Sequence, residues 1–156
     1  MKTIYLGADH AGFQLKEKIK HWLEAKKISY EDLGNLVYDP DDDYPIYTAK
    51  VARKVAQKNS IGILICGSAE GVCIAANKVK GIRAVNPSSL IQTKLSREHE
   101  NANILCLAGG QSKEPQPGIS LLEAGKKITL FLHTKFSNAA RHRRRITEIE
   151  RLEYEQ

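Results

Sequence analysis

The most constraining feature of the chain is the run Ile61-Gly62-Ile63-Leu64-Ile65-Cys66-Gly67-Ser68-Ala69-Glu70-Gly71-Val72-Cys73-Ile74-Ala75-Ala76-Asn77-Lys78. Five apolar or glycine residues precede Cys66 and leave no polar face. Such a strand is covered on both sides, as in a parallel sheet. Small residues then make a turn, and a helix starts. Amide N–H groups gathered at such a turn favour an anion or a developing oxyanion. A thiol, a hydroxyl and a carboxylate (Cys66, Ser68 and Glu70) sit inside it.

The rest of the chain supplies partners for that strand. Residues 2–7 read as a first strand ending at Gly7, followed by the turn Ala8-Asp9-His10-Ala11-Gly12. Leu15, Ile19, Trp22 and Leu23 fall on one face of a helix over 12–26, with Lys16, Lys18, Lys20, Lys26 and Lys27 facing water. A second strand fits 28–33. Residues 35–43, rich in Asp, form a loop. Tyr44-Pro45 opens a helix whose inner face is Ala49, Ala52, Val55 and Ala56, with proline in the first turn where a missing N–H costs little.

Further strands fit 61–65, 82–85 and 103–107, and helices 88–97 and 119–133. A last helix, capped by Ser137 or Asn138, runs towards Leu152. Alternating strands and helices predict an α/β fold: a doubly wound, five-stranded parallel sheet, Rossmann-like, with helices on both faces. At 156 residues the chain is expected to be a single domain, 1–156. The narrow stripe Ile146, Ile149 and Leu152 on the C-terminal helix, 136–156, is expected to pack on a partner subunit.

Several function classes are set aside. No apolar run approaches the ~18–20 residues of a membrane span, and the N-terminus lacks the pattern of a signal peptide, so a cytoplasmic location and no membrane partner are expected. Cys66, Cys73 and Cys106 suit reduced thiols, with Cys73 and Cys106 in the core, and their spacing matches no zinc signature. No GxGxxG or GxxxxGK[ST] motif is present, which argues against dinucleotides and nucleoside triphosphates. The net charge of +6 is concentrated at Arg141, Arg143, Arg144 and Arg145. That cluster fits a solvated helix face, a polyanion, or one phosphate ester held by Arg141 and Arg145 at i and i+4. No aromatic residue interleaves the arginines, so nucleic acid is not expected.

In folds of this class ligands bind beyond the carboxyl ends of the strands. Asp9-His10, the 66–71 turn, the glycine-rich loop from Ala108 and His99 are all expected at that edge, facing one crevice. Each has a plainer alternative. Cys66 can be a buried strand-end thiol, or a thiolate favoured by helix amides. Glu70 can be a helix-dipole partner, or a base. Asp9 and His10 can be a cap and a surface histidine. His99 can be a dipole partner at a helix end.

Taken together, Gly7-Ala8-Asp9-His10-Ala11-Gly12-Phe13, Asp43-Tyr44-Pro45, Cys66-Gly67-Ser68, Ile74-Ala75-Ala76-Asn77-Lys78, Gly81-Ile82-Arg83-Ala84, Leu95-Ser96-Arg97-Glu98-His99 and Arg141-His142 resemble the B-type ribose-5-phosphate isomerases and the related galactose-6-phosphate isomerase subunits. The resemblance covers nearly the whole chain. It implies a homodimer, or a dimer of dimers, with each site shared between subunits. It also implies isomerisation of a sugar phosphate through a cis-enediolate, without metal or other cofactor.

By that resemblance Cys66 is the base between C1 and C2, and His99 the acid/base that opens the sugar ring. Asp9 and the Tyr44 region hold sugar oxygens. Gly67, Ser68, Ala69, Glu70 and Gly71 form the loop whose amides stabilise the enediolate. His10, Arg141 and Arg145 are phosphate ligands.

The chain departs from the pattern at four places. Ala69 stands where glycine is usual. Glu70 resembles the glutamate base of a branch that lacks the cysteine, giving two candidate bases. Glu100 replaces the asparagine after the histidine. Gly110-Gln111 replaces a pair whose arginine binds phosphate, with Lys113 a candidate substitute. These departures keep two alternatives open: a hexose 6-phosphate isomerase, and a non-catalytic sugar-phosphate-binding or regulatory protein.

Overall fold

The computed structural model describes residues 3–110 and 117–155. The elements are β1 (Ile4–Ala8), α1 (Phe13–Ala25), β2 (Tyr30–Asp32), α2 (Tyr44–Lys58), β3 (Ile61–Cys66), α3 (Glu70–Ala76), β4 (Ala84–Val85), α4 (Leu90–Glu98), β5 (Ile104–Ala108), α5 (Leu121–His133) and α6 (Ala140–Leu152). The five strands form one parallel sheet in the order β2-β1-β3-β5-β4.

The strand order explains the sequence pattern. β1, β3 and β5 are the inner strands and are buried on both faces, so each reads as an unbroken apolar run. Alternate residues serve opposite layers. Ile63 and Ile65 of β3, with Leu105 and Leu107 of β5, pack with Leu15, Ile19 and Leu23 of α1 and Ile128 and Phe131 of α5. On the other face Leu64, Cys66, Ile104 and Cys106 pack with Val51, Ala52 and Val55 of α2 and Val72 and Ala76 of α3.

From β1 the chain steps outward to β2, then returns past β1 to place β3 on its other side. The crossovers leave β1 in opposite directions, which opens a crevice at the carboxyl ends of β1 and β3. Asp9 follows β1 and Cys66 ends β3, so both lie at this edge.

Three sequence expectations are corrected. Lys16 does not face water. It is fully buried, and its ammonium pairs with Asp32 and Glu17. A carboxylate arriving from β2 supplies the partner that a buried charge requires, and helical periodicity carries no trace of it. The inner face of α2 is Thr48, Val51, Ala52 and Val55, a rotation of the predicted face; Ala56 is exposed.

The N-cap of α6 is Ala139, without a side-chain cap bond. Ser137 Oγ is engaged by His142 Nδ1 at 2.6 Å, and Asn138 adopts a left-handed conformation, φ +56°. Of the expected docking stripe on α6, Ile146 is buried against its own chain, and Ile149 and Leu152 are exposed. The helix is tied in cis by Glu153, which accepts from the Gly81 N–H at 2.8 Å. Arg83 and Glu150 add an ion pair at 3.8 Å.

Candidate active site

The buried Asp9 accepts the Gly12 N–H at 3.0 Å, closing the turn into α1. Gly12 has no space for a side chain, because a Cβ there would stand 2.4 Å from the carbonyl oxygen of Ile65. The β1 and β3 turns are therefore in direct backbone contact. On the opposite flank of β3, Gly109 N–H donates to Cys66 O at 2.8 Å and Gly110 N–H to Gly67 O at 3.0 Å. Gly110, with φ +75°, thus pins the β5 loop to the 66–71 turn. Gln111 and Lys113 lie outside the described residues.

Cys66 is buried at the centre of this arrangement. Burial pushes its thiol above the ordinary range. The amides of Val72, Ala69 and Ser68 pull it down by less, and the nearby Asp9 charge adds to the rise. Of the two readings left open for Cys66, this balance favours the buried thiol: desolvation of the charged form outweighs the donors. Burial also raises the carboxyl of Asp9, against the hydrogen bond from Gly12.

The 66–71 turn has two particular features. Ala69, which stands where glycine is usual, is left-handed, φ +71°, and completely buried, so alanine here adopts a backbone conformation that favours glycine. Tyr44, from the start of α2, lies over Gly71; a Cβ on Gly71 would stand 2.7 Å from Tyr44 Cζ. Ser68 Oγ accepts the Glu70 N–H at 3.4 Å. The Glu70 side chain turns to the surface, where Oε1 accepts from Asn86 Nδ2 at 2.8 Å.

His10 stands on the rim. Its backbone N–H and its Nδ1 both meet Asp42 Oδ1, at 2.8 and 2.9 Å, and Asn35 Nδ2 donates to Asp42 Oδ2 at 2.7 Å. The hydrogen bond to Asp42 is the main reason the imidazole titrates above its ordinary value.

A second group forms at the junction of α4 and α6. His99, the C-cap of α4, stacks against His142 with ring centroids 4.3 Å apart. His142 is buried, and its titration is lowered by burial and by His99, Arg141 and Arg145. Its Nε2 accepts from Arg141 Nε at 3.1 Å. The neutral tautomer that satisfies both bonds carries the proton on Nδ1 and donates it to Ser137 Oγ. Arg141 and Arg145 reach solvent. Glu100 is half-buried, and its carbonyl accepts from Arg83 Nε at 3.0 Å.

The single crevice expected from the sequence is therefore two groups in one chain. Cys66, Asp9, His10, Tyr44 and the 67–71 turn make one. His99, Glu100, Arg141 and Arg145 make the other. Among the described residues no hydrogen bond, ion pair or ring contact joins them. Nor does any group of three or more His, Cys, Asp or Glu side chains among those residues stand together as a metal site. Sequence reasoning passed over Asp42 and Asn35, which lie in a loop whose three consecutive aspartates look alike. It read Ser137 only as a candidate helix cap and gave His142 no role of its own.

Comparison with known proteins decides the family. The model of the ribose/galactose isomerase family matches residues 4–149. The chain belongs to this family. A probable ribose-5-phosphate isomerase B of Mycoplasma genitalium is 42% identical over 156 residues, covering 98% of this chain and 97% of that protein. Ribose-5-phosphate isomerase B of Mycobacterium tuberculosis is 41% identical over 144 residues, 92% of this chain and 85% of that protein.

The fold agrees with solved family structures. The M. genitalium enzyme with bound ribulose-5-phosphate superposes with a TM-score of 0.88 at 40% identity, covering 99% of this chain and 97% of that one. The Thermotoga maritima enzyme gives 0.86 at 39%, covering 96% and 97%. In this family member the expected glycine position of the turn is Ala69, held left-handed, and the second candidate base, Glu70, points away from Cys66 to Asn86.

Proposed function

We propose that this protein interconverts ribose 5-phosphate and ribulose 5-phosphate through a cis-enediolate, using a site completed by a second copy of the chain. The observation that carries the reaction is the match, across 99% of the chain, to a family enzyme with bound ribulose-5-phosphate. The site geometry supports the assignment of roles.

The ionised form of Cys66, a minor species in the resting site, takes the proton from C2 or C1 to become the thiol and returns it to the other carbon. Cys66 ends the central strand, and amides of its own turn surround it. Removing a proton next to a carbonyl creates an oxyanion, and donors already aimed at it need no reorganisation; losing one such donor costs on the order of 3 kcal/mol of barrier. Asp9 and Tyr44 hold sugar oxygens, and His10 binds phosphate. Glu70 is the weaker candidate for the base, because its carboxylate is engaged with Asn86 at the surface.

His99 opens the sugar ring, with Arg141 and Arg145 on the phosphate. Phosphate binding remote from the reacting carbons fixes C1 and C2 in register. The separation of the two groups within one chain supports a homodimer in which each brings its half to the other's site. Residues 1–156 act as a single isomerase domain. The free thiols Cys66, Cys73 and Cys106 suit a reducing, cytoplasmic location.

The test is an isomerase assay on ribose 5-phosphate and a panel of hexose 6-phosphates, with solvent deuterium wash-in at C1 or C2 as readout. Wash-in confined to the pentose phosphate is expected, and Cys66→Ala abolishes it. Glu70→Gln retains it. Binding without wash-in on any substrate overturns the catalytic reading in favour of a binding protein. The shared site is tested by mixing Cys66→Ala with His99→Ala: random re-pairing of two inactive variants restores about a quarter of wild-type activity if the site is composite, and none if it is not.

A further inference from the structure

The mechanism above leaves one buried carboxylate without a task. Asp42 lies in the 35–43 loop with its side chain 4% exposed, and a carboxylate so withdrawn from water requires partners. Its oxygens accept from His10 and Asn35, and Tyr47 faces the same carboxylate. Oδ1 accepts from the backbone N–H and Nδ1 of His10, and Oδ2 accepts from Asn35 Nδ2. Asn35 is itself 2% exposed; its N–H donates to Ala8 O at 2.8 Å, and Gly34 O accepts the Ala8 N–H at 2.8 Å. The carboxylate is therefore anchored to the end of β1, independently of the histidine it faces.

We propose that Asp42 is a positioning residue for phosphate recognition: it fixes the His10 ring by Nδ1 and keeps Nε2 as the protonated edge turned to the substrate phosphate. The inference rests on the role of His10 in the proposed function and extends it to a residue that touches no substrate atom.

The chemistry follows from the tautomer. A carboxylate at Nδ1 can only accept, so Nδ1 carries a proton in every state. Protonation of the ring then places the second proton on Nε2. The charged groups facing His10 are Asp42 from the loop and Asp9 beside it. Both favour the imidazolium, and the ring titrates above its ordinary value. Tyr47 of α2 faces the same Asp42 carboxylate and is neutral in this range, its phenol being pushed up by burial and by Asp42. A charge-assisted N–H bond to a phosphate oxygen is roughly twice as strong as a neutral one, so Asp42 acts through the charge it holds on His10.

The isosteric variant Asp42→Asn is the test. It keeps an oxygen for His10 and removes the charge. Asn35 can accommodate it by turning its amide, because Asn35 Oδ1 has no hydrogen-bond partner in its buried position and can accept from the new amide. Three measurements are made: the His10 titration midpoint by NMR, KM and kcat for ribose 5-phosphate between pH 6 and 8.5, and the same substitution in a His10→Ala background.

The expected result is a lower His10 midpoint in Asp42→Asn and a KM raised about tenfold at pH 8 with kcat changed less than about threefold. The KM penalty shrinks as pH falls, because protonation of His10 then depends less on Asp42, and vanishes in the His10→Ala background. A His10 midpoint that does not move, or a KM penalty that is equal at pH 6 and 8 and persists without His10, overturns the proposal. Failure of the functional reading is distinguishable. If the wild-type protein does not isomerise ribose 5-phosphate, the titration still decides the Asp42–His10 relation, with inorganic phosphate as the probe that raises the wild-type midpoint more than that of Asp42→Asn.

Discussion

The ring of Tyr44, from the first turn of α2, occupies the space that a Gly71 side chain would fill, with Tyr44 Cζ 2.7 Å from that Cβ position. Two crossovers are locked at this point: the helix after β2 and the turn after β3. Tyr44 can approach the 66–71 turn only because residue 71 has no side chain.

Gly71→Ala should therefore separate stability from function. Alanine within α3 gains roughly 0.5–1 kcal/mol over glycine in conformational terms, which offsets part of the cost of displacing a partly exposed ring. The expected outcome is a melting temperature within a few degrees of wild type and kcat/KM reduced at least about tenfold, since a 1 Å misplacement of a positioning group costs up to ~100-fold. Steady-state kinetics with a thermal melt checks both. Wild-type kinetics in this variant would mean that Tyr44 has no part in the site.

Ala69 is left-handed and buried. Relief of its strain by Ala69→Gly, about 1–2 kcal/mol, is opposed by loss of one buried methyl at about 0.8 kcal/mol and by the greater freedom of unfolded glycine. The expected stability change is below about 1 kcal/mol in either direction by urea denaturation. Ala69→Val, β-branched at the same φ, should destabilise by more than about 2 kcal/mol.

Cys66 should not be a thiolate in the free enzyme at neutral pH. Burial holds its thiol above the ordinary range, so the difference in ultraviolet thiolate absorbance between wild type and Cys66→Ser should develop only above about pH 8.5. A difference already complete at pH 7 would show that the amides of Val72, Ala69 and Ser68 dominate after all.

His142 gives a pH dependence of defined sign. Its imidazole titrates below the ordinary value in the folded protein and at that value in the unfolded chain. Between the two the unfolded chain binds the extra proton, so stability is fully present above the ordinary histidine range and falls as pH drops through the window. His142→Gln removes this proton. The stability advantage of wild type over His142→Gln should shrink between pH 7.5 and 5.5 in denaturant titrations; an advantage that grows on acidification would contradict a neutral His142.

Much of the fold was legible because its signals are local. The unbroken apolar run of β3 states that the strand is inner, Pro45 marks the start of α2, and Gly12 and Gly110 stand where backbone meets backbone or φ turns positive. Cys66, Asp9 and His99 could be named as candidates because they end or follow elements whose periods are clear. What the sequence by itself determined is therefore the order of strands and helices, the carboxyl edge of the sheet at which Asp9 and Cys66 stand, and the presence of alanine at position 69, where glycine is usual. The tertiary structure alone decided which charged residues turn inward. Lys16 meets Asp32 across α1 and β2, Asp42 rather than its two neighbours closes on His10, and His142 joins Arg141 to His99 across α6 and α4. It also decided that burial outweighs amides at Cys66. The reason is common to all of these. The ionisation and direction of a polar side chain depend on partners distant in sequence and on exclusion of water, and neither leaves a periodic mark along the chain.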